Sequence, residues 1–358
     1  MTSAKKGAKA RNIKGGRGRA AGTLLGLGLV LLVLIGALVL IFAGNDKPGI
    51  NTGPTPGAWS SPAGTSDGGQ DHDNRPGSAR VVRVVATIFP LADIARQIGG
   101  SRVVVTTLLP PGASPHTFEL TPGQAREIAT ADVLIRVGSG LDDWALRSQE
   151  DGRWLPPVVV VLTGDSSGLA DRDHDRDHAG AGDHAHTHGD PHIWLDPVRV
   201  KDEIAPRIAG ALASVAPDAR DSFESNLRQY QGELQDLHAH IAQAIEKCRT
   251  RRYISFHSAW RHFGARYGLI EVASIEEFPG KEPSAGWIAN VVDLARRSGV
   301  KVIFAEPQFS PKVASAIAGE IGGRVLLLDP LGGKDIKGRD SYLSLMEYNL
   351  SIFKEALQ

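Results

Sequence analysis

The sequence predicts an α/β protein of two similar lobes, each a parallel sheet with covering helices. One long rigid helix joins the lobes, and an N-terminal transmembrane helix precedes them. Three observations predict this. Short β-branched runs alternate with helical stretches twice over, one uninterrupted helical stretch separates the two series, and a 21-residue run near the N-terminus carries no charge. With 42% apolar residues, 22% charged residues and one cysteine in 358, the composition excludes a disordered chain, a disulfide scaffold and a polytopic membrane protein.

Taken in order, residues 1–22 hold seven cations (Lys5, Lys6, Lys9, Arg11, Lys14, Arg17, Arg19) and no acid. The apolar run 23–43 follows, long enough at about 1.5 Å per residue to cross a hydrocarbon core of roughly 30 Å. The positive-inside rule then puts residues 1–22 in the cytoplasm and the rest outside. A long cleaved signal is the other reading, and it gives the same export. Residues 44–79 are rich in Gly, Pro, Ser and Asp without apolar periodicity, which predicts a flexible tether. Beyond the cations ahead of the run, the chain has 33 basic against 40 acidic side chains, the wrong sign for a nucleic-acid binder.

The first lobe, 80–216, has strand-like runs at 81–89, 102–109, 131–138 and 157–163. Oxygen-bearing caps followed by proline mark helix entries at Thr121-Pro122, Asp196-Pro197 and, in the second lobe, Ser310-Pro311. A polar insertion at 164–190 carries five of the twelve histidines: His174, His178, His184, His186 and His188. Residues 217–249 form the linking helix, with Phe223, Leu227, Tyr230, Leu234, Leu237, Ile241 and Ile245 at three- and four-residue spacing. Cys248 falls in this amphipathic stretch and reads as a packed, inert thiol. The second lobe, 250–358, repeats the alternation at 251–257, 269–275, 300–306 and 323–329.

Open α/β sheets bind ligands beyond the carboxyl ends of their strands. Four chemistry-bearing residues stand there or in facing loops: His116 in PPGASPHTFELTP, His192 in DPHIWLDP, His257 in SFHSAW and Asp329 in LLLDPLGG. Any one of them alone is ordinary cleft polarity. Together, three imidazoles and a carboxylate are a donor set suited to tetrahedral zinc. Glu306 and Gln308, in FAEPQFSP at another strand end, are candidates to orient an imidazole from behind. His72, His238 and His240 read as solvated and His262 as structural.

Residues from about 80 to 358 resemble the substrate-binding proteins of zinc and manganese ABC importers, and most of all their zinc-uptake branch. PPGASPHTFELTP, DPHIWLDP, SFHSAWRHFGARYGL, PGKEPSAG, FAEPQFSP, LLLDPLG and YLSLMEYNL carry the resemblance, in the family's order. It implies a metal held between two lobes and delivered to a membrane permease, with His116, His192, His257 and Asp329 as ligands. The manganese branch commonly has a carboxylate where His257 stands, so the third imidazole favours Zn2+ over Mn2+. The acidic, His-rich insertion also resembles a loop found in zinc-branch members, and it implies an auxiliary metal store. A membrane helix in place of a lipidated cysteine departs from the family's usual anchorage.

These readings imply metal capture, by a monomer at the extracytoplasmic face of the membrane, and not catalysis. A manganese-binding homologue, a metal-dependent surface adhesin and a zinc hydrolase are the alternatives. The hydrolase requires an open coordination position and a general base, and the sequence holds no HExxH.

Overall fold

The computed structural model describes residues 80–149, 156–163, 189–276 and 280–358. Residues 1–79, with the apolar run 23–43 and the tether, lie outside the described residues, as do the five histidines of the insertion. Among the described residues no helix is long and apolar enough to cross a membrane.

The first lobe is a four-stranded parallel sheet of β1 (Val82–Ala86), β2 (Val103–Thr107), β3 (Val133–Gly138) and β4 (Val158–Thr163), in the order β2-β1-β3-β4. Its β-branched strands are fit for burial on both faces. Helix α1 (Phe89–Gly99) packs against one face, together with α4 (Ala205–Val215). Helix α2 (Pro122–Thr130) and Trp144 close a smaller cluster with Val85, Leu108 and Leu134. Thr121 caps α2 through a reciprocal pair of bonds with Gln124.

Asp196 caps the short helix α3 (Pro197–Arg199) by accepting from the Val198 amide at 2.9 Å. A five-residue π turn, Val200–Ile204, joins α3 to α4. Pro206 stands just beyond it, and its missing N–H gives a reason for the wider turn.

Helix α5 (Arg220–Glu246) runs 27 residues, about 40 Å at the usual rise. Phe223, Tyr230, Leu234, Leu237, Ile241 and Ile245 are buried along one stripe, and Leu227 packs at its edge. Cys248, just past its end, is buried and donates to the Ala244 carbonyl. Burial pushes its thiol above the ordinary range, which leaves it un-ionised and unreactive.

The second lobe repeats the first in β5 (Arg252–Ser255), β6 (Ile270–Ser274), β7 (Val302–Ala305) and β8 (Arg324–Leu327), ordered β6-β5-β7-β8 and parallel throughout. Helices α7 (Ala285–Ser298) and α8 (Lys312–Ile321) pack over Ile254, Ile303 and Ala305. Ser284 caps α7. At α8 the cap position is Pro311, and the Ser310 hydroxyl reaches the Lys312 amide at only 3.5 Å. On the other face, α6 (Arg261–Tyr267) and α9 (Tyr342–Leu357) bring Phe263 and Phe353 into stacked contact at 4.9 Å, with Tyr253, Trp260 and Phe304 around Phe353. This aromatic cluster is continuous with the core under α1, α4 and α5, so one apolar core runs through both lobes.

Candidate metal centre

His257 is placed by β5. Its register pairs Ser255 with Phe304 of β7 and with Ser274 of β6. Two residues further on, the same alignment puts His257 between Glu306 and Glu276, at the point where the strand order reverses. This is the crevice in which open α/β sheets take their ligands.

His116 lies in a 3-10 turn, Pro115–Thr117, on the loop leaving β2. The Trp144 indole N–H donates to the Pro115 carbonyl at 2.8 Å and holds that turn in place. His192 precedes another short turn, Ile193–Leu195, which is stitched to the second lobe. Trp194 donates to the Pro330 carbonyl and the Tyr342 hydroxyl donates to the Trp194 carbonyl, each at 2.8 Å. Arg266 grips Asp196 through both Nε and Nη2.

The three imidazoles come together. Their ring centroids are 4.8–5.5 Å apart, and one donor atom from each lies within 4.8 Å of the others. His192 and His257 are buried at 5% and 6% exposure. The pocket they share with Ser114, Pro115, Trp194, Glu306, Gln308, Phe309, Pro330 and Leu331 encloses about 10 Å³, the room of one ion or one water. His116 Nε2 is buried with no hydrogen-bond partner. Burial, reinforced by repulsion from His192 and His257, pushes His116 down to about 2, so it presents a lone pair at neutral pH. Burial also lowers His192, against the pull of Asp190. At His257 burial acts downward too, but Glu306, Glu276 and Asp190 outweigh it and raise the imidazole above its ordinary 6.5.

Asp329 is not brought into this group. One of its oxygens accepts from the Leu331 and Gly332 amides at 3.0 and 2.9 Å, and the other accepts from Arg339 at 2.7 Å. Its amide and carbonyl are both bonded to Asn349 of α9. With three donors on its two oxygens, the carboxylate holds the loop that closes over Trp194. Gly332 has φ +63, and a Cβ there would meet the Arg339 carbonyl at 2.6 Å, so the loop requires glycine.

One residue escaped the sequence reading. Asp190 accepts from His192 Nδ1 at 2.7 Å and from the His192 amide at 3.0 Å, which turns the ring's Nε2 toward the other two imidazoles. Burial would raise this carboxyl, but His192 and His262 hold it down at about 2. An Asp two places ahead of a candidate ligand His is a local signal, masked here by the acidic, low-complexity insertion beside it. Glu306 Oε1 stands 3.4 Å from His257 Nδ1, and Gln308 lines the same pocket. His262 bonds to the Asp190 carbonyl at 3.0 Å, a structural role. His240 is exposed beside Glu347, whereas His238 is half-buried against the Tyr267 hydroxyl and is less solvated than expected.

Residues 84–356 match the family described as zinc-uptake complex component A, periplasmic (ZnuA). The chain is similar to the high-affinity zinc uptake system protein ZnuA of Bacillus subtilis (strain 168), 30% identical over 284 residues that make up 77% of this chain and 88% of the relative. It is 27% identical over 281 residues to the zinc-binding lipoprotein AdcA of Streptococcus pneumoniae. That match takes in 76% of this chain and 55% of AdcA, so the chain spans about half the length of this relative. A crystal structure of ZnuA superposes with a TM-score of 0.66 at 31% identity, covering 78% of this chain and all of that one. The Zn(II)-bound ZnuA-like domain of Streptococcus pneumoniae AdcA superposes at 0.62 and 26% identity, covering 77% and 99%. With the matched region spanning both lobes and the linking helix, the chain belongs to the zinc-uptake complex component A family.

Proposed function

We propose that this protein is the extracytoplasmic, high-affinity zinc-binding component of an ABC-type metal importer. It captures Zn2+ between its lobes and delivers the ion to a membrane permease. One observation carries the reading: imidazoles from three separate chain segments, two of them buried and His116 half-buried, converge on a pocket sized for a single ion. The donor set is His116, His192 and His257, with Asp329 bracing the neighbouring loop. Three neutral nitrogens suit zinc better than the harder manganese.

Three protein ligands leave a fourth coordination position open, as in zinc hydrolases. Against hydrolysis stands Glu306, the candidate general base, whose carboxylate faces His257 Nδ1. In this reading the run 23–43 anchors the chain, the tether spans to the lobes, and the insertion's histidines hold zinc weakly beside the cleft. The periplasmic and lipoprotein descriptions of the relatives agree with an extracytoplasmic site.

Competitive zinc titration of the full-length chain tests the reading. Wild type is compared with His257→Ala and with a deletion of 171–188. Near-stoichiometric tight binding that survives the deletion and weakens sharply in His257→Ala is the expected result. Tight binding that disappears with the insertion and ignores His257 would show instead a tethered metal sponge.

A further inference from the structure

Among the described residues, three buried carboxylates have donors on both oxygens, as the cost of burying charge favours. Asp142 accepts from Thr87 and from the Val137 and Gly138 amides, Asp132 from Arg80 and the Arg83 amide, and Asp329 from Arg339 and two amides. Glu306 is the contrast. It is 2% exposed, and neither of its oxygens accepts a hydrogen bond. The cationisable group facing it is His257, whose Nδ1 is 3.4 Å from Oε1 and is itself buried without a bond. Glu276, on the other side of His257, has one oxygen satisfied by the Gly280 amide and the other unpartnered.

Such an arrangement costs stability in the metal-free chain. A dication bound by three neutral imidazoles brings two positive charges into the same dry pocket, where buried negative charge is worth most. Asp190 behind His192 and Glu306 behind His257 are two negative charges directly behind two of the three rings. Asp190 Oδ1 accepts from the His192 ring and amide while its Oδ2 has no partner, whereas neither oxygen of Glu306 has a donor.

We infer that Glu306 is a positioning residue for zinc capture. It takes the Nδ1–H of His257, turns Nε2 toward the ion, and balances the ion's charge, so its burial is more favourable with metal bound than without. The inference rests on the zinc-capture reading above.

The test measures zinc affinity of the full-length chain by chelator competition, and thermal unfolding of the metal-free protein, for wild type, Glu306→Leu, Glu306→Gln and His257→Ala. Removing a partner behind a metal ligand typically costs about 10–100-fold in affinity. Glu306→Leu is expected to weaken zinc by that amount while leaving the metal-free melting temperature unchanged or raised, because an unpaired buried charge has gone. Glu306→Gln, whose amide oxygen still accepts from Nδ1–H, is expected to lose less, and it decides the matter if the leucine variant fails to fold. A merely structural role would lower metal-free melting in step with affinity, and that result overturns the inference. So does zinc binding within about threefold of wild type in both variants. If His257→Ala also bound zinc like wild type, the capture site itself would be wrong; if it weakened while the Glu306 variants did not, this inference alone would fail.

Discussion

At the scale of single residues, protons and zinc compete for the same nitrogen lone pairs. His116, held down at about 2 by burial, has no proton to lose at neutral pH, whereas His257 is held above 6.5 by its carboxylate neighbours. A raised imidazole must shed its proton before the metal binds, so zinc affinity is expected to fall on acidification, starting above pH 6.5. One displaced proton corresponds to about a tenfold weakening per pH unit. Competition titrations between pH 8 and pH 5.5 check this, and a flat profile would mean that His257 gives up no proton on binding. Asn349 carries a second residue-scale expectation. Fully buried, it bonds the Asp329 amide and carbonyl and the Leu345 carbonyl. Asn349→Leu would strand the Asp329 amide and carbonyl, the Leu345 carbonyl keeping its helical partner, and should cost about 3 kcal/mol in denaturant unfolding, at 1–3 kcal/mol for each buried group left unpaired.

At the scale of elements, capping and short anchored turns set where the three imidazoles stand. The α2 cap is exposed and local, so Thr121→Ala should cost about 1 kcal/mol of stability and leave zinc affinity near wild type. Trp144 acts differently. Its indole bond to Pro115 fixes the residue next to His116, so Trp144→Phe, which keeps an aromatic ring but loses the donor and the pyrrole half of the indole, should weaken zinc more than it lowers the melting temperature. Equal effects on both would place Trp144 in the core alone. The strands and caps were legible in advance because hydrophobic alternation and cap chemistry are properties of neighbouring residues. Ser310-Pro311 was the weaker entry, and there the helix begins one residue later, with proline in the cap position.

At the scale of the whole molecule, the lobes share a core. The aromatic cluster around Phe353, the stripe of α5 and the Asp196–Arg266 ion pair tie them together. A continuous apolar core resists wide opening, which predicts closely similar small-angle scattering profiles with and without zinc. A large compaction on loading would show that the lobes hinge. Zinc bound by the folded state and not by the unfolded one should add about 4 kcal/mol of stability at a thousandfold excess over Kd, and His257→Ala should abolish that gain.

The sequence by itself determined the two α/β lobes, the helix between them and the three histidines that meet. Each of these rests on short-range patterns: β-branched runs, helical periodicity, and a histidine just past a strand or in a loop facing the strand ends. Only the tertiary structure decided what the carboxylates do. Asp329 stands at a strand end like a ligand, yet Arg339, two amides and Asn349 claim it, while Asp190 and Glu306 take places behind two of the imidazoles. A carboxylate binds whichever donor the fold brings nearest, and across parallel strands that donor comes from register, which spacing along the chain does not encode.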